Sequence, residues 1–274
     1  MPLVDDGLPV DEVGEWAADK HVRLERYVDI YRSVRKKFLE GPSATASYID
    51  LFCATGRSRV RETGELIEGS PLVAFRKARD GGQPFSHIHV GDIRADAVAA
   101  AGARIRNAGG TCIEHVGTSE DVARCVVAAV NKYGLHFALL DPYKLEALTF
   151  QTVKTLAQLK RIDMMLHVSA MDLQRNWDAY TQQDPSPLDA FAPGWRQHVD
   201  LKQGMSGARA QLLEHWCSLV QSLGFARPRA ELITGSKNQR LYWLAFISRE
   251  PIANDFWQKI RYIDGQNDLL GGLF

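Results

Sequence analysis

The chain of 274 residues lacks any apolar run near the roughly 20 residues that a membrane-spanning helix needs, which argues against an integral membrane protein. Its start, MPLVDDGLPVDEVGEW, is acidic and shows no cationic-then-apolar leader. No sign of charge dominates: 33 Lys and Arg face 33 Asp and Glu, so attachment to nucleic acid or to a membrane by bulk charge is excluded and only a local patch is left open. Cysteine is sparse. Cys53, Cys112, Cys125 and Cys217 sit far apart, without a CxxC pair or zinc-ligand spacing, and read as free thiols of a reducing compartment. A cytoplasmic location is expected. There is no internal repeat, no low-complexity tract and no GxSxG context for a nucleophile; Cys53 reads as packing. His87, His89, His115, His136 and His167 fall in strand-like segments without an identifiable third ligand, so no metal is expected. What is present is an ordinary globular composition, 45% hydrophobic and 24% charged, enough for a sizeable core.

From Trp16 to Leu39, Trp16, Leu24, Tyr27, Val28, Tyr31, Val34 and Phe38 recur at helical spacing, and Gly41-Pro42 ends the stretch. The other face of this helix is basic: Lys20, Arg23, Arg26, Arg32, Arg35, Lys36 and Lys37. Then come five apolar runs, at 47–54, 86–93, 111–118, 136–143 and 163–170, alternating with helical candidates at 71–78, 95–108, 119–133 and 149–159. Strand alternating with helix predicts right-handed crossovers and a parallel sheet. After a helix around Ala210–Leu223, the runs 229–236 and 240–249 are joined by only a few residues, which admits a hairpin but no crossover, so the last strand is antiparallel. The expected fold is α/β and Rossmann-like, with helices on both faces of a seven-stranded, mostly parallel sheet whose last strand is antiparallel, the pattern of class I methyltransferases. The expected division is a basic helical extension over 1–46, the α/β domain over 47–250 and a C-terminal helix and tail over 251–274. Residues 171–209 form an insertion long enough to cap a site.

In such sheets ligands bind beyond the carboxyl ends of the strands. The first strand ends Asp50-Leu51-Phe52-Cys53-Ala54-Thr55-Gly56, a small-residue turn that lets backbone approach a ligand and is expected to open the next helix. Asp92, ending the second strand, suits two roles, acceptor for ribose hydroxyls or N-cap of the following helix. The fourth strand ends Asp141-Pro142-Tyr143: a hydrogen-bond acceptor, a rigid turn and a π-face, the parts needed to hold an amino nitrogen and stack on its base. Asp-Pro also starts ordinary turns. Between Lys20 and Asp80 there are 13 basic against 8 acidic side chains, and an Arg57–Arg61 loop beside the cleft, with Arg57 and Arg59, could grip phosphates. A solvated charged surface explains the same run.

With these residues in view, the sequence resembles the three-Cys-motif partner protein family through YIDLFCATGRSRVRETGELIEGSPL (48–72), ALLDPY (138–143), HVSAMDLQRN (167–176) and LYWLAFISREPIANDFWQKI (241–260). The resemblance implies a class I methyltransferase-like fold, S-adenosylmethionine (SAM) as cofactor and a partner bearing a three-cysteine motif akin to the radical-SAM class. It departs from the family in two places. Cys53-Ala54-Thr55-Gly56 stands where Ala/Cys-Gly-Pro-Gly is usual, and Gly117-Thr118-Ser119 stands where Gly-Asp is frequent, leaving Thr118 or Ser119 to hydrogen-bond the adenine. The expectation is a methyltransferase directed at nitrogen on a nucleobase or nucleotide. SAM lies over Asp50, Phe52 and Ala54–Gly56 with Asp92 on its ribose. Asp141, Pro142 and Tyr143 orient the acceptor, and Asp172, Arg175, Asn176 and Trp177 help line its pocket. The alternative is a catalytically silent accessory protein working through the three-cysteine partner. A third idea is nucleic-acid binding by the Lys20–Arg61 basic face, which would weaken steeply with salt.

Overall fold

The structure is a computed structural model that describes residues 5–15, 17–41, 44–235 and 239–260. Trp16, Pro42, most of the link at 236–239 and the tail after Ile260 lie outside the described residues. Within 1–46, expected to be helical, the chain opens with a strand, β1 (Asp11–Val13), followed by α1 (Ala17–Ile30) and α2 (Arg32–Lys36). The single helix expected to Leu39 breaks at Tyr31, whose ψ of 1° leaves the helical basin. Leu24, Tyr27, Val28 and Tyr31 are buried as their spacing requires. Two arginines expected on the solvent face are not there. Arg23 is buried, and Arg35 lies 4.6 Å over the Phe85 ring while donating to the carbonyls of Gln83 (2.7 Å) and Val28 (3.0 Å).

β2 (Ala46–Asp50) is buried throughout. The turn after it does not lead into a helix. It runs into a hairpin, β3 (Arg57–Val60) and β4 (Leu66–Glu68), before α3 (Ser70–Asp80) begins. β1 pairs parallel with β3, and β3 antiparallel with β4, making a small three-stranded sheet. The hairpin closes at its base where the Gly69 amide donates to the Gly56 carbonyl at 2.9 Å. Gly56 has φ +75°, and a Cβ on Gly69 would stand 2.9 Å from its backbone, so this meeting of chains requires two glycines.

The remaining elements are β5 (His87–Asp92), α4 (Ala95–Asn107), β6 (Cys112–Val116), α5 (Ser119–Ala129), β7 (Leu135–Leu140), α6 (Phe150–Leu156) and β8 (Ile162–Ser169). After them come α7 (Ala170–Arg175), α8 (Trp177–Gln182), α9 (Pro187–Phe191), α10 (Gly204–Ser222), β9 (Arg229–Thr234), β10 (Arg240–Ile247) and α11 (Pro251–Ile260). The main sheet has the order β6-β5-β2-β7-β8-β10-β9. β2 pairs parallel with β5 and β7, β5 pairs parallel with β6, and β10 runs antiparallel to both β8 and β9. The seven-stranded mixed sheet expected from the alternation and the short final link is the one observed. The insertion at 171–209 folds into three short helices, two turns of 3-10 helix and the start of α10, which begins at Gly204 rather than near Ala210.

The chain forms two compact units, one of residues up to Leu139 with Leu159–Ile162, the other of Leu140–Gln158 and the chain from Asp163. In the first, Leu24, Tyr27, Tyr48, Ile88, Ile105 and Phe137 are buried; in the second, Met164, Leu166, Trp195, Trp216, Phe246 and Trp257 are. Stacked pairs Phe191–Trp216 (5.6 Å) and Phe246–Trp257 (5.3 Å) mark the second core. Among the described residues no helix is long and apolar enough to cross a membrane.

Candidate functional site

In the first unit the strand-end residues surround the turn after β2. Asp50 is fully buried: its Oδ2 accepts from the Tyr48 hydroxyl (3.1 Å) and the Ser70 hydroxyl (2.6 Å), and its Oδ1 from the Phe52 amide (3.3 Å). This carboxylate braces the turn and ties it to the start of α3. Phe52 is half-buried. Ala54 takes φ +47°, a left-handed conformation that costs a non-glycine residue roughly 1–2 kcal/mol. Two aspartates hold it there. The Ala54 amide donates to Asp92 Oδ2 (3.2 Å), and the Thr55 amide to Asp11 Oδ2 (3.1 Å). The Thr55 hydroxyl donates to the Arg57 carbonyl (2.7 Å). Cys53 is buried, and burial with the nearby Asp50 and Asp92 charges pushes its thiol far above the usual range, as a packing residue rather than a nucleophile requires.

Asp92 is not the N-cap of α4. That position is Arg94, and Asp92 stands two residues before it, accepting the Arg94 amide at Oδ1 (3.0 Å). Its half-buried carboxylate joins the end of β5 to the turn after β2. Thr118 is a cap: its Oγ1 accepts the Asp121 amide (3.2 Å) and donates to Asp121 Oδ2 (2.6 Å), with Ser119 buried as the first residue of α5.

The segment from Asp6 to Val13 is fastened across this turn. Arg104, its side chain 2% exposed, donates twice to Asp6 (2.8 and 2.7 Å) and to the carbonyls of Leu8 (3.2 Å), Pro9 (2.9 Å) and Thr55 (2.6 Å). The Arg104 hydrogen bonds hold the Asp6 carboxyl at about 2, against the opposing effect of burial. Asp11 takes two hydrogen bonds from Arg94 (2.9 and 2.8 Å); burial raises its carboxyl, but Arg94 and the Thr55 amide outweigh that and leave it below its ordinary value. Arg57 and Arg59 belong here rather than to a phosphate-gripping loop. They lie on strand β3, with Arg57 buried and paired with Asp6 (3.1 Å) and Arg59 donating to the Gly64 carbonyl (3.0 Å) at the hairpin tip. His89 and His115 stack with ring nitrogens 3.1 Å apart, satisfying one another. Among the described residues no three His, Cys, Asp or Glu are placed to hold a metal ion.

In the second unit, Asp141-Pro142-Tyr143 follows β7. Tyr143 is 95% exposed and Pro142 is buried. Asp141 Oδ1 lies 2.7 Å from His167 Nδ1 on β8, and the His167 ring lies 4.3 Å from that of Tyr242 on β10. His167 is the residue that sequence reasoning passed over as one of several sheet histidines; only its register on β8 sets it beside Asp141. Asp172 is engaged rather than open to a ligand. Its Oδ2 accepts the Leu145 amide (3.0 Å) and the Tyr180 hydroxyl (3.0 Å), and its Oδ1 the Asn176 side-chain amide (2.7 Å). Asp172 and Asn176 therefore pin the loop after Tyr143 to α7 and α8. Trp177 is buried beside them, and Arg175 alone of that set is exposed.

The sheet order and the antiparallel final strand define a class I SAM-dependent methyltransferase-like fold. No family model matches the chain, and no curated protein matches it. Solved structures do. Protein LPL1258 from Legionella pneumophila, of the family DUF519, is similar over 88% of this chain and 90% of its own, at 9% identity and a TM-score of 0.51. Cofactor-bound Rv0187 from MTB matches over 85% and 87%, at 12% identity and a TM-score of 0.46. The N-methyltransferase NodS from Bradyrhizobium japonicum matches over 85% and 96%, at 10% identity and a TM-score of 0.41. At such identities the likeness is one of fold.

Proposed function

We propose that the protein is a SAM-dependent methyltransferase acting on an amino nitrogen of a nucleobase or nucleotide, within or near the three-Cys-motif partner family that its sequence resembles. The observation that carries this reading is Asp141-Pro142-Tyr143 at the end of β7, with the Asp141 carboxylate held by His167 and the Tyr143 ring fully presented. The donor set of the first unit fits the cofactor. Asp92 offers a half-buried carboxylate for ribose hydroxyls, and the Phe52–Gly56 turn is a tight backbone cradle with Thr118 and Ser119 at the next strand end. When bound, SAM supplies an electrophilic methyl group. The chain's own part is positioning. Asp141 accepts an N–H of the acceptor, His167 donates from Nδ1 to Asp141 and so fixes which carboxylate oxygen faces outward, and Tyr143 stacks on the base.

Calorimetric titration with SAM and S-adenosylhomocysteine tests the cofactor half. Saturable heat in the wild type that vanishes in Asp92→Ala is the expected result; a variant that binds as tightly as the wild type removes Asp92 from the site. For the acceptor half, transfer of labelled methyl to nucleobase acceptors is expected to fall about 100- to 1,000-fold in Asp141→Ala. In His167→Gln, misplacement costs up to about 100-fold. Affinity for SAM stays constant in both. Wild-type rates in Asp141→Ala would eliminate its role.

One observation favours a second reading. Both turn amides that could face a ligand, those of Ala54 and Thr55, already donate to Asp92 and Asp11 of the same chain. On that reading the protein is a silent accessory of a three-cysteine-motif partner. It predicts no heat at millimolar SAM in a folded sample and co-purification with that partner.

A further inference from the structure

We infer that the second unit carries a binding site for a phosphate group, in the small cavity bordered by Gln174 on α7, Ser206 and Arg209 on α10, and Arg240 and Trp243 at the start of β10. This site does not depend on the methyl-transfer reading, and neither Asp141 nor Asp172 lines it.

Several arginines of this chain are matched to acids, while Arg35, Arg59, Arg161 and Arg249 donate to backbone carbonyls. Arg57, Arg76, Arg94, Arg104, Arg106, Arg124, Arg196 and Arg227 each pair with a carboxylate. Among the described residues Arg209 and Arg240 do not, and no acidic side chain borders the cavity they share. Arg209 is half-buried and fixed along its helix, since its Nε–H donates to the Met205 carbonyl one turn back (3.2 Å). That leaves the outer edge of its guanidinium unused. Two like charges converging on one concavity without a counter-charge is an arrangement that an anion relieves. Burial and the Arg240 charge both lower the Arg209 pKa, the direction that repulsion without an internal acid produces.

The donor set selects the kind of anion. Two guanidinium forks, the Ser206 hydroxyl and the Gln174 amide bring donor groups from four side chains to the cavity, set on two helices and a strand rather than in the single plane in which a carboxylate accepts. A tetrahedral group with three or more free oxygens meets them all. Of its lining, Ser206 lies in the first turn of α10, where the helix dipole adds to the attraction for negative charge. Phosphate oxygens of a mononucleotide and of a nucleic-acid backbone share this chemistry.

Inorganic phosphate is the first probe, titrated into the full chain at constant ionic strength against sodium acetate and sodium chloride, with thermal unfolding as the readout. Phosphate is expected to raise Tm saturably where acetate and chloride do not. Arg209→Ala and Arg240→Ala are each expected to weaken phosphate binding roughly tenfold or more, while Arg240→Lys, which keeps the charge and loses the fork, retains part of it. Circular dichroism confirms that the variants are folded. A second arm compares AMP with a short single-stranded oligonucleotide: tighter binding of AMP assigns the site to a mononucleotide, and tighter binding of the oligonucleotide, lost in the same variants, assigns it to a phosphodiester backbone. Phosphate that stabilises no more than acetate, or stabilisation that survives both alanine variants, overturns the inference.

Discussion

Arg104→Ala is expected to lower the stability of the folded chain by about 2–4 kcal/mol, chiefly from the lost partners of three backbone carbonyls and the emptied guanidinium site, since Asp6 itself stays partly in water. The guanidinium is almost wholly enclosed and makes five hydrogen bonds, two to Asp6 and three to the carbonyls of Leu8, Pro9 and Thr55. Removing it leaves the Asp6 carboxylate with only Arg57 and the Leu8 amide and leaves three carbonyls to find water. Asp6→Asn, which keeps a hydrogen-bonding side chain on a more exposed partner, should cost clearly less. Urea unfolding of both single variants and the double variant measures the coupling. A loss below about 1 kcal/mol in Arg104→Ala would place the network among the weak surface ion pairs. Limited proteolysis gives a second readout, because the segment before Val13 should become cleavable in the variant while the main sheet resists.

None of this network was legible in the sequence, whereas the main sheet was. The strand runs announced themselves because buried parallel strands are apolar on both faces, and the brief link before Arg240 forced the last strand to reverse. The hairpin of β3 and β4 escaped because Arg57-Ser58-Arg59-Val60 has the polarity of a solvated loop, and its strand character depends on pairing with β1 and β4. Arg35 looked exposed for a similar reason: its acceptor at Gln83 lies 48 positions away. The candidate site divides along the same line. Positions at strand ends, Asp92 and Asp141, could be named from the strand pattern. Their partners, Ala54 in the turn after β2 and His167 on β8, are brought to them by the pairing of distant strands, which leaves no local mark. Asp172 and Asn176 were assigned to a substrate because nothing in the stretch 171–209 discloses that they bond to each other and to the loop at Leu145.

The second large effect expected is acid lability beginning well above the usual carboxylate range. Burial lowers His89 to about 3 and His136 to about 4, from 6.5, with His115 and His87 adding to the effect on His89. Both rings stay neutral in the folded chain over a range in which the unfolded chain takes up protons. Their contribution is therefore complete above about pH 6.5 and is lost as pH falls through 4 toward 3. At pH 4.5 the two together remove about 5 kcal/mol of stability relative to neutral pH. Asp6, held near 2, adds its own loss at still lower pH, below its ordinary value of 3.8. Urea midpoints at pH 7.5 and 4.5 measure the difference, and substituting His89 and His136 by glutamine should flatten it. Equal midpoints at the two pH values would mean that these histidines protonate without unfolding the sheet around them.

The clasp formed by Asp6 and Asp11 also bears on the order in which the molecule can be completed. Asp11 precedes its partner Arg94 by 83 positions and Asp6 precedes Arg104 by 98, so during synthesis the two aspartates leave the ribosome long before the arginines that secure them. The strap is made first and fastened only after α4 exists. Until then the amide of Thr55 has no Asp11 held in place by Arg94, and the turn after β2 passes through an interval in which it is formed but not yet covered.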